Sequence, residues 1–165
     1  MAEPAARVGI VAIGRNEGER LVRCLASMPP GVPVVYVDSA STDGSPEAAR
    51  SAGAIVLALD MAKPFTAARA RAEGVAMLFD RFPDTTFVMF IDGDCEMESG
   101  WLATAGEFLN AHPDFATVCG RRRERHPEAS FYNRLADFEW DTPVGEAAAQ
   151  AGKADAGEPR PSRPT

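Results

Sequence analysis

Residues 87–94 read FVMFIDGD. The run Phe87–Ile91 is continuously apolar and too short for a typical helix. It suits a strand of a sheet that is covered on both faces. The strand ends at Asp92, and Gly93 and Asp94 complete an acidic turn. A buried parallel strand with carboxylates at its carboxyl end makes a strong case for an α/β sheet with a ligand edge, because open α/β sheets bind ligands beyond the carboxyl ends of their strands.

The pattern repeats toward the amino terminus. Val8–Ile13 is an apolar run broken by Gly14, and Val34–Val37 is another, ending at Asp38. Ala54–Leu59 is predicted as a third strand, ahead of Phe87–Ile91 as the fourth, and a further strand is predicted near Thr117–Gly120. Between them lie amphipathic stretches. Leu21, Val22, Leu25 and Met28 share one face of a helix over about Glu19–Met28, which Pro29, Pro30 and Gly31 end. Ser45 is the expected N-cap of a second helix, with Pro46 in its first turn and Gly53 closing it. Longer helices are predicted over Thr66–Phe79 and Trp101–Ala111. Alternating strands and helices imply βαβ units and a mostly parallel sheet.

Composition bounds the function. The chain has 165 residues and a formal net charge of −7, which argues against a broad nucleic-acid surface, since binding phosphate backbones needs a basic face. No apolar stretch of about 18 residues occurs, and Met1–Arg7 does not read as a secretory signal. The three cysteines, Cys24, Cys95 and Cys119, are widely spaced and fit neither a disulfide framework nor a zinc site. They read as buried free thiols in a reducing cytoplasm. The last stretch, 147–165, is AAAQAGKADAGEPRPSRPT. It lacks every large apolar residue and reads as a disordered tail, which leaves 1–146 as the foldable part.

Three polar segments fall on the carboxyl edge of the expected sheet: Asn16–Glu17, Asp38–Asp43 and Asp92–Asp94. In Asp92-Gly93-Asp94, two carboxylates one residue apart can face a single hard cation. Magnesium or manganese is often held by one or two carboxylates, with diphosphate oxygens and water completing the shell. Gly93 allows a tight turn and leaves room for a ligand. An EF-hand loop starting at Asp92 would need Gly and Glu where Met97 and Ala103 stand. No G-x-x-x-x-G-K-[ST] loop occurs, and Gly9, Gly14 and Gly18 have the wrong spacing for a dinucleotide fingerprint. Asp38 can accept a hydrogen bond from a nucleobase N–H or from ribose hydroxyls, and Asn16–Glu17 can reach the same group. The run Ser39–Ser45 supplies turn geometry.

The blocks VAIGRNEGERLVRCL, VVYVDSASTDGSPEAA, FTAARARAEG and FVMFIDGDCEMESGWL, in this order and spacing, resemble a family 2 glycosyltransferase of the GT-A fold. Weaker similarity continues through RRRERHPEASFYNRLADFEWDTPVGEA. The resemblance implies a Rossmann-like nucleotide-sugar-binding domain. It implies transfer of a sugar from a nucleoside-diphosphate sugar, usually a UDP-sugar, with inversion at the anomeric carbon and with Mn2+ or Mg2+ as cofactor. It places Glu17 in the first nucleotide-contacting loop, Asp38 at the base and Arg71 near the donor. It assigns Asp92 and Asp94 to the metal-binding D-x-D, with Asp94 favoured as the direct ligand and Asp92 more often facing the sugar or ribose. Ala72 stands where the family's A-R-N-x-G segment has Asn.

The family's acceptor-binding half, with its carboxylate base, has no counterpart, so the domain is expected to be truncated. Glu139 and Asp141 are the acidic residues nearest that position but read better as a solvated helix end. The change of character after Glu146 suggests a lost reading frame or a truncated gene. The acceptor, whether glycan, lipid or small molecule, is not legible. Two rival readings stand beside the transferase: a non-catalytic nucleotide-sugar-binding or interaction module, and a nucleotidyltransferase. The acidic loop GRNEGER counts against the second. The cluster Arg121–Arg123 with Arg125 reads either as a solvated strand end or as a contact for a diphosphate, a lipid-linked acceptor or the inner face of the membrane. Phe131, Tyr132, Phe138 and Trp140 form the apolar face of a late helix, as core or as a self-association surface.

Overall fold

The computed structural model describes residues 7–141, which fall into two compact units, 7–118 and 119–141. Four strands form the sheet of the first unit: β1 (Val8–Gly14), β2 (Val34–Asp38), β3 (Ile55–Ala58) and β4 (Phe87–Asp92). All are parallel, in the order β3-β2-β1-β4. This is the Rossmann-like arrangement that the resemblance implies. Four helices follow the strands: α1 (Glu19–Ala26), α2 (Ser45–Ser51), α3 (Ala67–Arg81) and α4 (Trp101–Ala111). The second unit carries α5 (Phe131–Glu139).

The alternation of β1 sorts the core into two layers. Ile10 and Ala12 point to one face, where they pack with Leu21 and Cys24 of α1, Ala49 of α2 and Leu102 of α4. Val11 and Ile13 point to the other, against Ala70 and Leu78 of α3. Ile10, Val11 and Ala12 are fully buried, as the continuous apolar run predicts for a central strand. Helix α3 lies close on the sheet because Gly74 has no side chain. A Cβ there would sit 2.5 Å from Val11 Cγ1 and 2.8 Å from Val37 Cγ2.

Several expectations are corrected. FVMFI is not covered on both faces: β4 is an edge strand among the described residues, and Phe90 is 44% exposed. Thr117–Gly120 is irregular rather than a strand: among the described residues its backbone joins no sheet. Ser45 is the first residue of α2, not its cap. Gly44 caps the helix with φ 83°, a left-handed conformation that suits glycine. The thiols are free, but only Cys24 is buried; Cys95 is half-buried and Cys119 exposed. The tail 147–165 lies outside the described residues.

Candidate functional site

Strand register brings the acidic strand ends together. Gly14 pairs with Asp38 on one side of β1, and Ile13 pairs with Asp92 on the other. Asp38 and Asp92 therefore flank the end of β1, two strand spacings or about 10 Å apart. The loops beyond are tied to one another. Asn16 N–H donates to Ser41 Oγ at 2.9 Å, and Asn16 Oδ1 accepts from Thr42 N–H at 2.7 Å. Gly18 N–H donates to Ser45 Oγ at 3.1 Å, and Ser39 N–H donates to the Gly14 carbonyl at 3.0 Å. On the other side of β1, Gly93 N–H donates to the Ile13 carbonyl at 2.8 Å. Asn16 accomplishes this with φ 56°, which Asn tolerates better than most residues.

Beyond the strand ends lies a cleft of about 340 Å3. Ile13, Gly14, Arg15 and Glu17 line it from β1 and its loop, Ser39 from β2, and Phe65, Ala67 and Arg71 from the start of α3. Asp92 and Asp94 complete the wall. Arg71 Nη2 donates to Asp92 Oδ1 at 2.6 Å across the cleft, with both side chains part-exposed. A larger cavity, about 430 Å3, lies at the opposite end of the sheet, between Pro29–Pro33 and residues 52–55. Its lining holds no titratable side chain, whereas the smaller cleft carries Arg15, Glu17, Arg71, Asp92 and Asp94.

The pattern of the family described as Glycosyl transferase family 2 matches residues 10–154. The chain belongs to that family. A TPR repeat-containing protein of Synechococcus elongatus (strain ATCC 33912 / PCC 7942 / FACHB-805) is 42% identical over 72 residues, which is 43% of this chain and 18% of that protein. The match thus spans less than a fifth of that relative's length. The four-stranded parallel sheet is consistent with the GT-A fold of family 2 glycosyltransferases.

In this family 2 glycosyltransferase chain, Glu17, Arg71, Asp92 and Asp94 all line the one cleft. Glu17 does so while wedged beneath it: its carboxylate pairs with Arg20 at 2.8 Å, and its Cγ lies near the positions that Cβ atoms on Gly14 and Gly93 would take. Asp38 is placed differently. Its carboxylate is buried, accepting from Ser41 N–H at 3.0 Å and from the Tyr36 hydroxyl at 3.4 Å. Burial pushes the Tyr36 phenol up, so it stays a neutral donor to Asp38. Asp43 fastens its own loop: hydrogen bonding to Ser45 holds its carboxyl below the usual value, and its Oδ1 accepts Ser45 N–H at 3.1 Å. The room beside Gly93 is filled by protein, since a Cβ would meet Ile13 O, Glu17 and Leu21.

Among the described residues, no three His, Cys, Asp or Glu side chains gather into a preformed metal cage. The donor set Asp92 and Asp94 instead suits a hard cation that draws its remaining oxygens from a diphosphate and water. Sequence reasoning missed Arg15 and Phe65 as cleft residues and gave Ser39, within the edge segment Asp38–Asp43, only a turn role. Arg15 and Ser39 each directly follow a strand end, a position that by itself marks the ligand edge.

The second unit holds the remaining candidates. Arg121 pairs with Asp141, Arg123 Nε with Asp137 at 3.5 Å, and the Arg122 guanidinium stacks over Trp140 at 5.1 Å. Much of the basic cluster is thereby neutralised locally. Ser130 caps α5 by accepting from Asn133 N–H at 3.1 Å. Phe131, Tyr132 and Phe138 are exposed rather than core. No helix among the described residues is long and apolar enough to cross a membrane.

Proposed function

We propose that the cleft binds a nucleoside-diphosphate sugar, with UDP as the nucleotide, and that the chain assists sugar transfer with inversion. The observation that carries the reading is the shared cleft of Arg71, Asp92 and Asp94 beside the ends of β1 and β4. Asp94 and Asp92 would hold Mn2+ or Mg2+, which when bound offsets the charge that develops on the departing nucleoside diphosphate. Arg71 holds Asp92 in position through the 2.6 Å ion pair and adds a positive charge to a wall facing phosphate. Arg15 brings a second guanidinium to the same cleft. The cross-tied loops fix these groups before a ligand arrives, which favours binding by reducing the ordering that binding requires.

Thermal unfolding tests the reading. Binding at about 100 times Kd stabilises by about 2.7 kcal/mol, so UDP with Mn2+ is expected to raise the melting temperature by several degrees. Asp94→Ala is expected to abolish the shift while leaving the unliganded melting temperature near that of the natural chain, because Asp94 is exposed. No shift with any nucleoside diphosphate would sink the donor-site reading.

A second reading, donor binding without transfer, is favoured by one observation. Of the cleft carboxylates, Glu17 and Asp92 are each committed to an arginine, which leaves Asp94 as the remaining one. An inverting transfer needs a carboxylate free to take the acceptor proton. Slow release of sugar from UDP-sugars with no transfer product supports binding alone, whereas robust transfer to any acceptor refutes it.

A further inference from the structure

Phe65 is the exception in the cleft. It is the one aromatic side chain in a lining that carries Arg15, Glu17, Arg71, Asp92 and Asp94, and its ring is 48% exposed. We propose that this ring is the platform on which the nucleobase of the donor stacks, a role that rests on the donor-site reading above.

Two features of the chain support it. The first is rigidity. The turn ahead of Phe65 is clamped by Arg69, which donates to the carbonyls of Pro64 (2.8 Å) and Asp60 and is itself held by Glu73 Oε1 at 3.0 Å. Asp60 Oδ1 accepts Ala62 N–H at 2.9 Å inside the same turn. Immediately after Phe65, Thr66 caps α3 by accepting Arg69 N–H at 3.1 Å. The ring is thus displayed between a pinned turn and a capped helix, so little backbone freedom of the loop remains to be lost on stacking.

The second feature is position. The segment that carries Phe65 leaves β3 beside β2, where Leu59 N–H donates to the Asp38 carbonyl at 2.8 Å. The carboxylates suited to a metal and diphosphate lie on the far side of β1, at the end of β4. A ligand with its diphosphate at Asp92 and Asp94 that runs along the sheet edge therefore brings its nucleoside toward the β2–β3 side. The nucleobase is the part of that ligand with a flat face for a ring. Aromatic stacking is also tolerant of base identity, because every base has such a face.

Calorimetric titration of the full chain in Mn2+, with UDP and with pyrophosphate as probes, tests the proposal. Phe65→Ala is expected to weaken UDP about 5- to 100-fold and to leave pyrophosphate unchanged. Phe65→Trp, which keeps a ring, is expected to bind UDP within about threefold of the natural chain. Circular dichroism of both variants checks that they are folded. Equal UDP affinity for Phe65→Ala and the natural chain overturns the proposal, as does an equal loss of UDP and pyrophosphate, which would mean that the ring only shapes the loop. A natural chain that binds no UDP overturns the donor-site reading and the proposal together. That result differs from a binding natural chain with an indifferent Phe65→Ala.

Discussion

Replacing Gly93 with alanine tests how tightly the acidic turn is built into the fold. Its new methyl would lie 3.2 Å from the Ile13 carbonyl oxygen, 3.3 Å from Glu17 Cγ and 3.4 Å from Leu21 Cδ1. The first neighbour cannot yield. Ile13 is paired with Val37 on one side and Asp92 on the other, and its oxygen already accepts Gly93 N–H at 2.8 Å. Leu21 is fully buried, and Glu17 is held by Arg20. The turn itself must therefore move by a few tenths of an ångström, carrying Asp92 and Asp94 with it. Adding a methyl to a packed site costs about 1–3 kcal/mol. Removing a glycine from the unfolded chain offsets about 0.4–1 kcal/mol of that. A net loss of roughly 0.5–2 kcal/mol lowers the melting temperature by roughly 3–12 °C for a domain of this size. Circular-dichroism melting with and without UDP and Mn2+ measures both consequences: a lower transition, and a smaller ligand-induced rise. If Gly93→Ala melts with the natural chain and keeps the full ligand shift, the turn is not confined as described.

The remaining predictions concern titration and thiol access. Asp43 has its carboxyl held below the ordinary 3.8 by the Ser45 hydroxyl, so its contribution is complete above pH 3.8 and is lost as pH falls through the lowered value. Asp43→Asn is expected to melt below the natural chain at pH 6, with the gap narrowing below pH 3.8; a gap that stays constant down to acid unfolding contradicts this. Burial pushes the Cys24 thiol up to about 12, whereas Cys119 is exposed. At pH 8 a thiol reagent is expected to modify Cys119 rapidly and Cys24 only on unfolding, so Cys119→Ser, but not Cys24→Ala, removes the fast phase.

The sheet was legible because its signals are collective. Apolar runs such as Val8–Ile13 and Val34–Val37 can bury themselves in few ways, and alternation with amphipathic stretches leaves a parallel sheet as the economical solution. The failures lie where a strand or cap depends on a neighbour that a local pattern does not reveal. Thr117–Gly120 has a strand-like composition but no ladder beside it, and Ser45 has the chemistry of a cap but spends its hydroxyl on Gly18. Which acidic residues line the cleft and which fasten a loop was legible only in part, for a related reason. A carboxylate at a strand end can fasten a loop or face a cleft, and its identity is the same in both cases. Asp38 and Asp43 fasten, since their oxygens accept backbone N–H groups of their own loop. Asp94 is exposed on the cleft wall, while Asp92 faces it through Arg71. The difference comes from the chain around them. Asp38 ends a strand whose last four residues are buried, so its carboxylate has to find donors within reach. Asp92 ends an edge strand, where a partner arrives from α3 across the opening. The Asp92 carboxylate is held by the Arg71 guanidinium at 2.6 Å, yet its side chain stays part-exposed to the cleft. The Asp38 carboxylate, on a central strand, already accepts from Ser41 N–H and the Tyr36 hydroxyl.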